Sequence, residues 1–331
     1  MLEPLLRQIN MVYGLQIQSY QVIRYSAKTI VIHLKTDRGS FFAKTMYIQE
    51  HRQQFILDAE AYLRNRGIFI PQPVLTIEEK PFFKWNGNLF YLQKAVQGKA
   101  VSLRTPKQTH RIGELLGKIH FSSVGYFSAS GNRYNGALRW EKEYENDLIS
   151  LQRWQETFAG HKKPKIQLLR QHLPYFLRVG EEMHKLLRQS AFFQEWKDRP
   201  EHLLSLCHGD FHMGNVIKSE NSLYVIDWED VRYDYPSKDL SRLLYVYMRR
   251  YRGWNQPRCE LLFRAYFRKN PMKKQEKALL YQDLAFPHIF EWFLRRKQYT
   301  SMSYRQVSLF LKAEREKTKY MLKQAKARVV R

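Results

Sequence analysis

Polarity alternates at period two from Thr29 to Lys35, which predicts a strand with one apolar face. A β-rich run at Gln21–Tyr25 precedes it. The Asp37-Arg38-Gly39 turn signal leads into a third run at Ser40–Tyr47. The period then changes. Ile56, Ala59, Glu60 and Leu63 fall at i, i+3, i+4 and i+7, predicting a helix from about Glu50 to Arg66 that Gly67 ends. Pro71 and Pro73 lead into strands near Val74–Ile77 and Leu89–Val96, separated by a turn at Trp85-Asn86-Gly87-Asn88. Gly98 closes a small sheet carrying one helix.

Beyond it the chain reads as mostly helical. Thr109 can cap a helix striped by Ile112, Leu115, Leu116 and Ile119, and Gly160–Pro174, basic and with two prolines, reads as a loop. A strand–turn–strand pattern occupies Leu203–Asp227. Asp239 can cap a helix whose Leu240, Leu243, Leu244, Tyr247, Met248 and Tyr251 form one stripe, and a weakly amphipathic helix is expected over Ser303–Arg328. The expected fold is α+β, with a small antiparallel sheet lobe over 1–94, a larger helical lobe over 95–331 and a hinge at 93–98.

Composition narrows the classes. At 44% hydrophobic and 15% aromatic, the 331 residues can bury a large core, which excludes whole-chain disorder. Two cysteines exclude a disulfide scaffold and suit a reducing compartment. No run of 18 apolar residues predicts a transmembrane segment, and MLEPLLRQIN carries no secretory pattern, so a cytoplasmic address is expected. The net charge of +25 is uneven: residues 1–98 hold 12 basic and 7 acidic side chains, and most of the excess follows. Such a field attracts polyanions and repels polycations, or simply keeps a surface solvated. Aromatics such as Trp254, Tyr266 and Phe267 lie among the basic stretches, yet no nucleic-acid module is legible, and packing of helices accounts for them.

The chemistry concentrates at His208-Gly209-Asp210-Phe211-His212-Met213-Gly214-Asn215, followed by Ile226-Asp227-Trp228-Glu229. Asp210 can accept the proton of an attacking hydroxyl. Asn215 and Asp227 can offer two hard oxygens to Mg²⁺, which completes its shell with nucleotide phosphates and water. This is the Asp-x4-Asn arithmetic of kinase catalytic loops with a following metal-binding Asp. A zinc site on His208 and His212 lacks a third ligand and a helix to carry it.

These residues resemble the aminoglycoside/choline phosphotransferase group of protein-kinase-like enzymes, and within it the bacterial spore-coat kinase-like proteins of the CotS type. The resemblance implies a bilobal protein-kinase-like fold using ATP and Mg²⁺. It matches Lys44 to the strand lysine on the phosphates and Glu60 to its helix partner. It also implies that Gln93–Gly98, with Gln93 and Ala95, reads adenine through the backbone, and that Asp239 is structural. Independently, Glu60 lies on the apolar face of its helix and needs a cation, for which Lys44 is the natural candidate. The turn expected to cover the phosphates, with Ser26, Ala27 and Lys28, contains no glycine, so only the N–H groups of Ser26 and Ala27 and the charge of Lys28 serve it. Three functions follow: phosphotransfer to a hydroxyl-bearing, neutral or anionic small molecule or coat component; a catalytically weak or inactive structural protein of the spore coat, with coat proteins as partners; or a basic module that binds anionic polymer.

Overall fold

The computed structural model describes residues 2–26, 29–46, 48–128 and 134–329. Ala27 and Lys28 of the expected phosphate turn lie outside them. The chain forms two compact units. The first takes in residues up to Ala100 together with Gly214–Trp228; the second takes in Val101–Phe127, residues 134–213 and Glu229 onward.

In the first unit, β1 (Ile17–Ser26), β2 (Thr29–Thr36), β3 (Gly39–Met46), β4 (Pro73–Val74) and β6 (Asn88–Lys94) form an antiparallel sheet in the order β1-β2-β3-β6-β4, with β5 (Phe83–Trp85) also on β6. The alternation read in the sequence sorts its two faces. Ile32, Leu34, Phe41, Ala43, Phe90 and Leu92 are buried on one face, each larger side chain contributing about 1.5–3 kcal/mol. Phe42 and Lys44 take the other, where the Phe42 ring lies 4.9 Å from His33. The apolar face packs against α1 (Glu3–Tyr13) through Leu5, Leu6, Ile9 and Tyr13, a helix the strand-centred reading of the first hundred residues omits. Asn86 and Gly87 both adopt positive φ, as a two-residue hairpin turn requires. The helix α2 (Glu50–Arg64) follows its predicted span to within two residues.

Two short hairpin strands, β9 (Val216–Ser219) and β10 (Ser222–Val225), join the first unit by pairing β9 with β7 (Lys99–Ala100). This carries Asn215 and Asp227, at the base of the hairpin, into the unit that holds Lys44.

The second unit is helical: α3 (Pro106–Ser123), α4 (Trp140–Thr157), α5 (Pro164–Gln189), α6 (Ala191–Lys197), α7 (Ser237–Tyr251), α8 (Gln256–Lys269), α9 (Lys274–Ala285), α10 (His288–Arg295) and α11 (Tyr304–Val329), with β8 (Leu206–Cys207) paired to β11 (Arg232–Tyr233). Three sequence expectations are corrected here. Thr105, not Thr109, caps α3, because Gln108 completes a capping box three residues on. The interval expected as a loop over 160–174 is helical from Pro164: a proline at the first turn suits a helix start, and Leu169, Leu173, Phe176 and Gly180 bury one stripe despite Pro174. Asp239 does not cap α7, which begins at Ser237; it lies fully buried in the first turn. The α3–α8 contact is close because a Cβ at Gly113 or Gly117 would meet the carbonyl oxygens of Leu262 or Tyr266 at 2.5 Å.

Candidate active site

In the first unit, β3 presents Lys44 and the residue after β10 and Ile226 presents Asp227. The Lys44 Nζ donates to Asp227 Oδ1 across 183 residues of sequence. Lys44 is nearly buried, whereas the Asp227 side chain keeps 45% exposure. Asp227 sits in the left-handed region at φ 67°, which Asp tolerates better than most residues and which functional loops hold at some cost. Asn215 is placed beside it by register. Val216 opposes Val225, and one step further the Ile226 N–H donates to the Asn215 carbonyl at 3.0 Å. An amide oxygen and a carboxylate therefore flank one hairpin base, a hard-oxygen pair of the kind Mg²⁺ takes together with phosphates.

Glu60 of α2 is buried at 2% exposure. Its ion pair is with Arg64, one helical turn on, at 3.3 Å; Lys44 and the Gln93 side chain add to its stabilisation. The expected Lys44 contribution is present, but Arg64 is the larger one and was not anticipated, although its i, i+4 spacing is visible in the sequence. Burial outweighs these partners and pushes the Glu60 carboxyl up to about 7.

Gln93 is buried on β6. The Ala95 N–H donates to Ser40 O at 2.9 Å, extending the β3–β6 ladder, and leaves the Ala95 carbonyl as its uncommitted backbone group among the described residues. Ser26 closes the β1–β2 connection: its hydroxyl accepts from the Thr29 N–H at 3.1 Å and donates to the Thr29 carbonyl at 3.3 Å.

In the second unit, the His208-Gly209-Asp210 segment is fixed from below. Asp239 accepts the backbone N–H groups of His208 (2.7 Å) and Gly209 (2.8 Å) and lies 3.1 Å from His120 Nε2; His120 Nδ1 meets the Tyr266 hydroxyl at 2.9 Å. Every member but Gly209 is fully buried. Burial pushes the Asp239 carboxyl up, but the His120 bond and the nearby His208 outweigh it and hold it below the usual carboxylate range. His120, Cys207 and Asp239 lie within 4.8 Å of one another, yet these hydrogen bonds already satisfy the cluster, and the Cys207 thiol, pushed up by burial, bonds the Tyr235 carbonyl. Gly209 turns at φ 86°, and a Cβ there would strike the Asp230 carbonyl at 2.4 Å. His208 braces the loop from inside, accepting the Asp210 N–H at Nδ1 (3.3 Å).

Asp210 is thus presented on a rigid turn. Arg242, three residues after Asp239 and one turn along α7, is omitted from every sequence expectation. Its Nε nevertheless donates to Asp210 Oδ1, and His212 Nε2 lies 3.6 Å from Oδ2. Burial pushes the Asp210 carboxyl up, but the His212 and Arg242 hydrogen bonds outweigh it and hold it at about 2. The i, i+3 spacing from Asp239 is the signal by which Arg242 could have been found.

Among the described residues, no helix is long and apolar enough to cross a membrane. The chain matches the phosphotransferase enzyme family over residues 26–274. Spore coat protein S of Bacillus subtilis (strain 168) is 25% identical over 272 residues, covering 80% of this chain and 77% of that protein. An aminoglycoside phosphotransferase from Alicyclobacillus acidocaldarius superposes with a TM-score of 0.74 at 16% identity, covering 96% of this chain and 94% of the other. Amicoumacin kinase hAmiN, solved with AMP-PNP, Ca²⁺ and Ami, superposes at 0.67 and 16% identity, covering 96% and 93%. At such identity the likeness to solved structures shows the fold, an α+β, protein-kinase-like one. With three quarters of its length matched, this chain belongs to the phosphotransferase enzyme family.

Proposed function

We propose that this protein transfers the γ-phosphoryl group of ATP to a hydroxyl of a neutral or anionic small molecule or coat component. The observation that carries the reading is the Lys44–Asp227 ion pair, which joins a strand lysine to the residue beside Asn215 in one compact unit. Asn215 and Asp227 would hold Mg²⁺, which supplies charge neutralisation on the phosphates when bound. Lys44 holds phosphate oxygens, and Glu60, Arg64 and Gln93 keep its surroundings fixed. Of the hinge residues, Ala95 offers its carbonyl to the base. Asp210 accepts a hydrogen bond from the acceptor hydroxyl and orients it. At a carboxyl held at about 2, orientation outweighs proton abstraction in the ground state. Support comes from family membership and from a solved protein of the same fold named as a complex with AMP-PNP.

A structural role in the spore coat is the second reading. It is favoured by the relative named spore coat protein S and by the Ser26 hydroxyl being tied to Thr29 in a turn without glycine. Thermal unfolding with Mg-ATP separates the two. Phosphotransfer expects stabilisation of about 2.7 kcal/mol at a hundredfold excess over Kd, lost in Asp227→Ala. No shift at millimolar Mg-ATP would leave the structural role.

A further inference from the structure

A cavity of about 520 Å³ opens in the helical unit beside the Asp210 loop, lined by Gly209, Arg232 and side chains of α4, α7, α9 and α10. Its buried and half-buried carboxylates are already committed, and the exposed Glu143 faces Lys238 Nζ at 3.6 Å. Asp283 accepts from the Tyr144 hydroxyl (2.8 Å) and the Ser237 hydroxyl (2.5 Å) and lies 3.2 Å from His288 Nε2. Glu291 accepts from Ser150 (2.7 Å) and Arg295 Nε (2.8 Å), and Asp147 meets His288 Nδ1 at 2.6 Å. A polycationic acceptor therefore finds no uncommitted buried carboxylate in this wall. The cations differ. Arg242 and Arg295 each bond through Nε, and their terminal guanidinium nitrogens carry no hydrogen bond among the described residues. A guanidinium fork of this kind suits a phosphate or carboxylate.

Arg242 has a second consequence. It occupies the Asp210 oxygen Oδ1 while His212 faces Oδ2, so it competes with any hydroxyl for the same carboxylate. We infer that the acceptor carries an oxyanion beside its hydroxyl, and that this oxyanion pairs with Arg242, drawing the guanidinium off Asp210 so that the carboxylate can take the hydroxyl. The inference rests on the phosphotransfer reading above. In the step itself the hydroxyl oxygen bonds to the γ-phosphorus, the bond to the β–γ bridging oxygen breaks, ADP leaves, and the hydroxyl proton passes by way of Asp210 to solvent. Arg242 thereby sets specificity, admitting anionic acceptors and holding the site quiet without them.

The test uses the full chain, inorganic sulfate as tetrahedral oxyanion and acetate as planar one. Calorimetry should show sulfate binding that weakens about tenfold or more in Arg242→Gln and less in Arg242→Lys, which keeps the charge without the fork. Acetate binding tighter than sulfate would assign a carboxylate acceptor, and the reverse a phosphorylated one. In parallel, ADP release from Mg-ATP with water as acceptor should rise with the anion in the native chain, and should start higher and no longer respond in Arg242→Gln. Equal anion affinity in native and Arg242→Gln protein, or unresponsive ADP release in a native chain that turns ATP over, would overturn the inference. Anion binding that depends on Arg242 in a chain releasing no ADP would keep the anion site and sink phosphotransfer instead.

Discussion

Glu60 in the sheet unit and Asp210 in the helical unit are both carboxylates with cations at hand, yet they shift in opposite directions. Glu60 is buried at 2%, its strongest partner is one arginine at 3.3 Å, and its carboxyl rises to about 7. Asp210 keeps 35% side-chain exposure, meets Arg242 and His212, and falls to about 2. Desolvation wins where partners are few and distant; paired donors win where water still helps. The contrast fits a division of labour in which Glu60 is a packed support and Asp210 a working anion on a rigid turn.

The largest effect should come from the turn's foundation. Asp239→Ala leaves His120 and the His208 N–H buried, and the Gly209 N–H half-buried, without their acceptor, and should lower unfolding free energy in urea by about 3–5 kcal/mol. A loss below about 1 kcal/mol, the range of a single ordinary hydrogen bond, would remove Asp239 as the anchor. Gly209→Ala comes next, at about 1–3 kcal/mol, from positive φ and the contact with the Asp230 carbonyl. It should also depress turnover, since Asp210 follows directly; unchanged activity would show that the turn's shape does not matter.

Glu60 offers a smaller, pH-dependent test. Its folded pKa of about 7 exceeds the ordinary 4.5, so between these values the native state holds a proton the unfolded chain has released. Stability therefore falls as pH rises through that window and levels off above it. Glu60→Gln should flatten this slope, by on the order of 2–3 kcal/mol between about pH 5 and pH 8. An identical slope in both proteins would mean that Glu60 stays ionised throughout.

Much of this was legible because it is local. The period-two run at Thr29–Lys35, the helical stripe through Glu60 and the Asn86-Gly87 turn each carry their signal within a few residues. What was missed has non-local causes. The helix over Pro164–Gln189 hides behind its prolines and is held by burial of its stripe. Asp239 looks like a cap in sequence, and only the fold shows that His208 and Gly209 claim it. The Lys44–Asp227 meeting depends on β9 pairing with β7, which no short pattern encodes. Arg242 sits in plain view at i+3 from Asp239, but its partner Asp210 lies 32 residues upstream.

Phosphotransfer through Asp210 is tested most directly by measuring ADP formation from Mg-ATP in native and Asp210→Asn protein, alongside nucleotide-induced thermal stabilisation of each. The expected result is turnover reduced by about 10²–10⁴-fold with stabilisation retained. Undiminished turnover in Asp210→Asn would contradict the role assigned to this carboxylate.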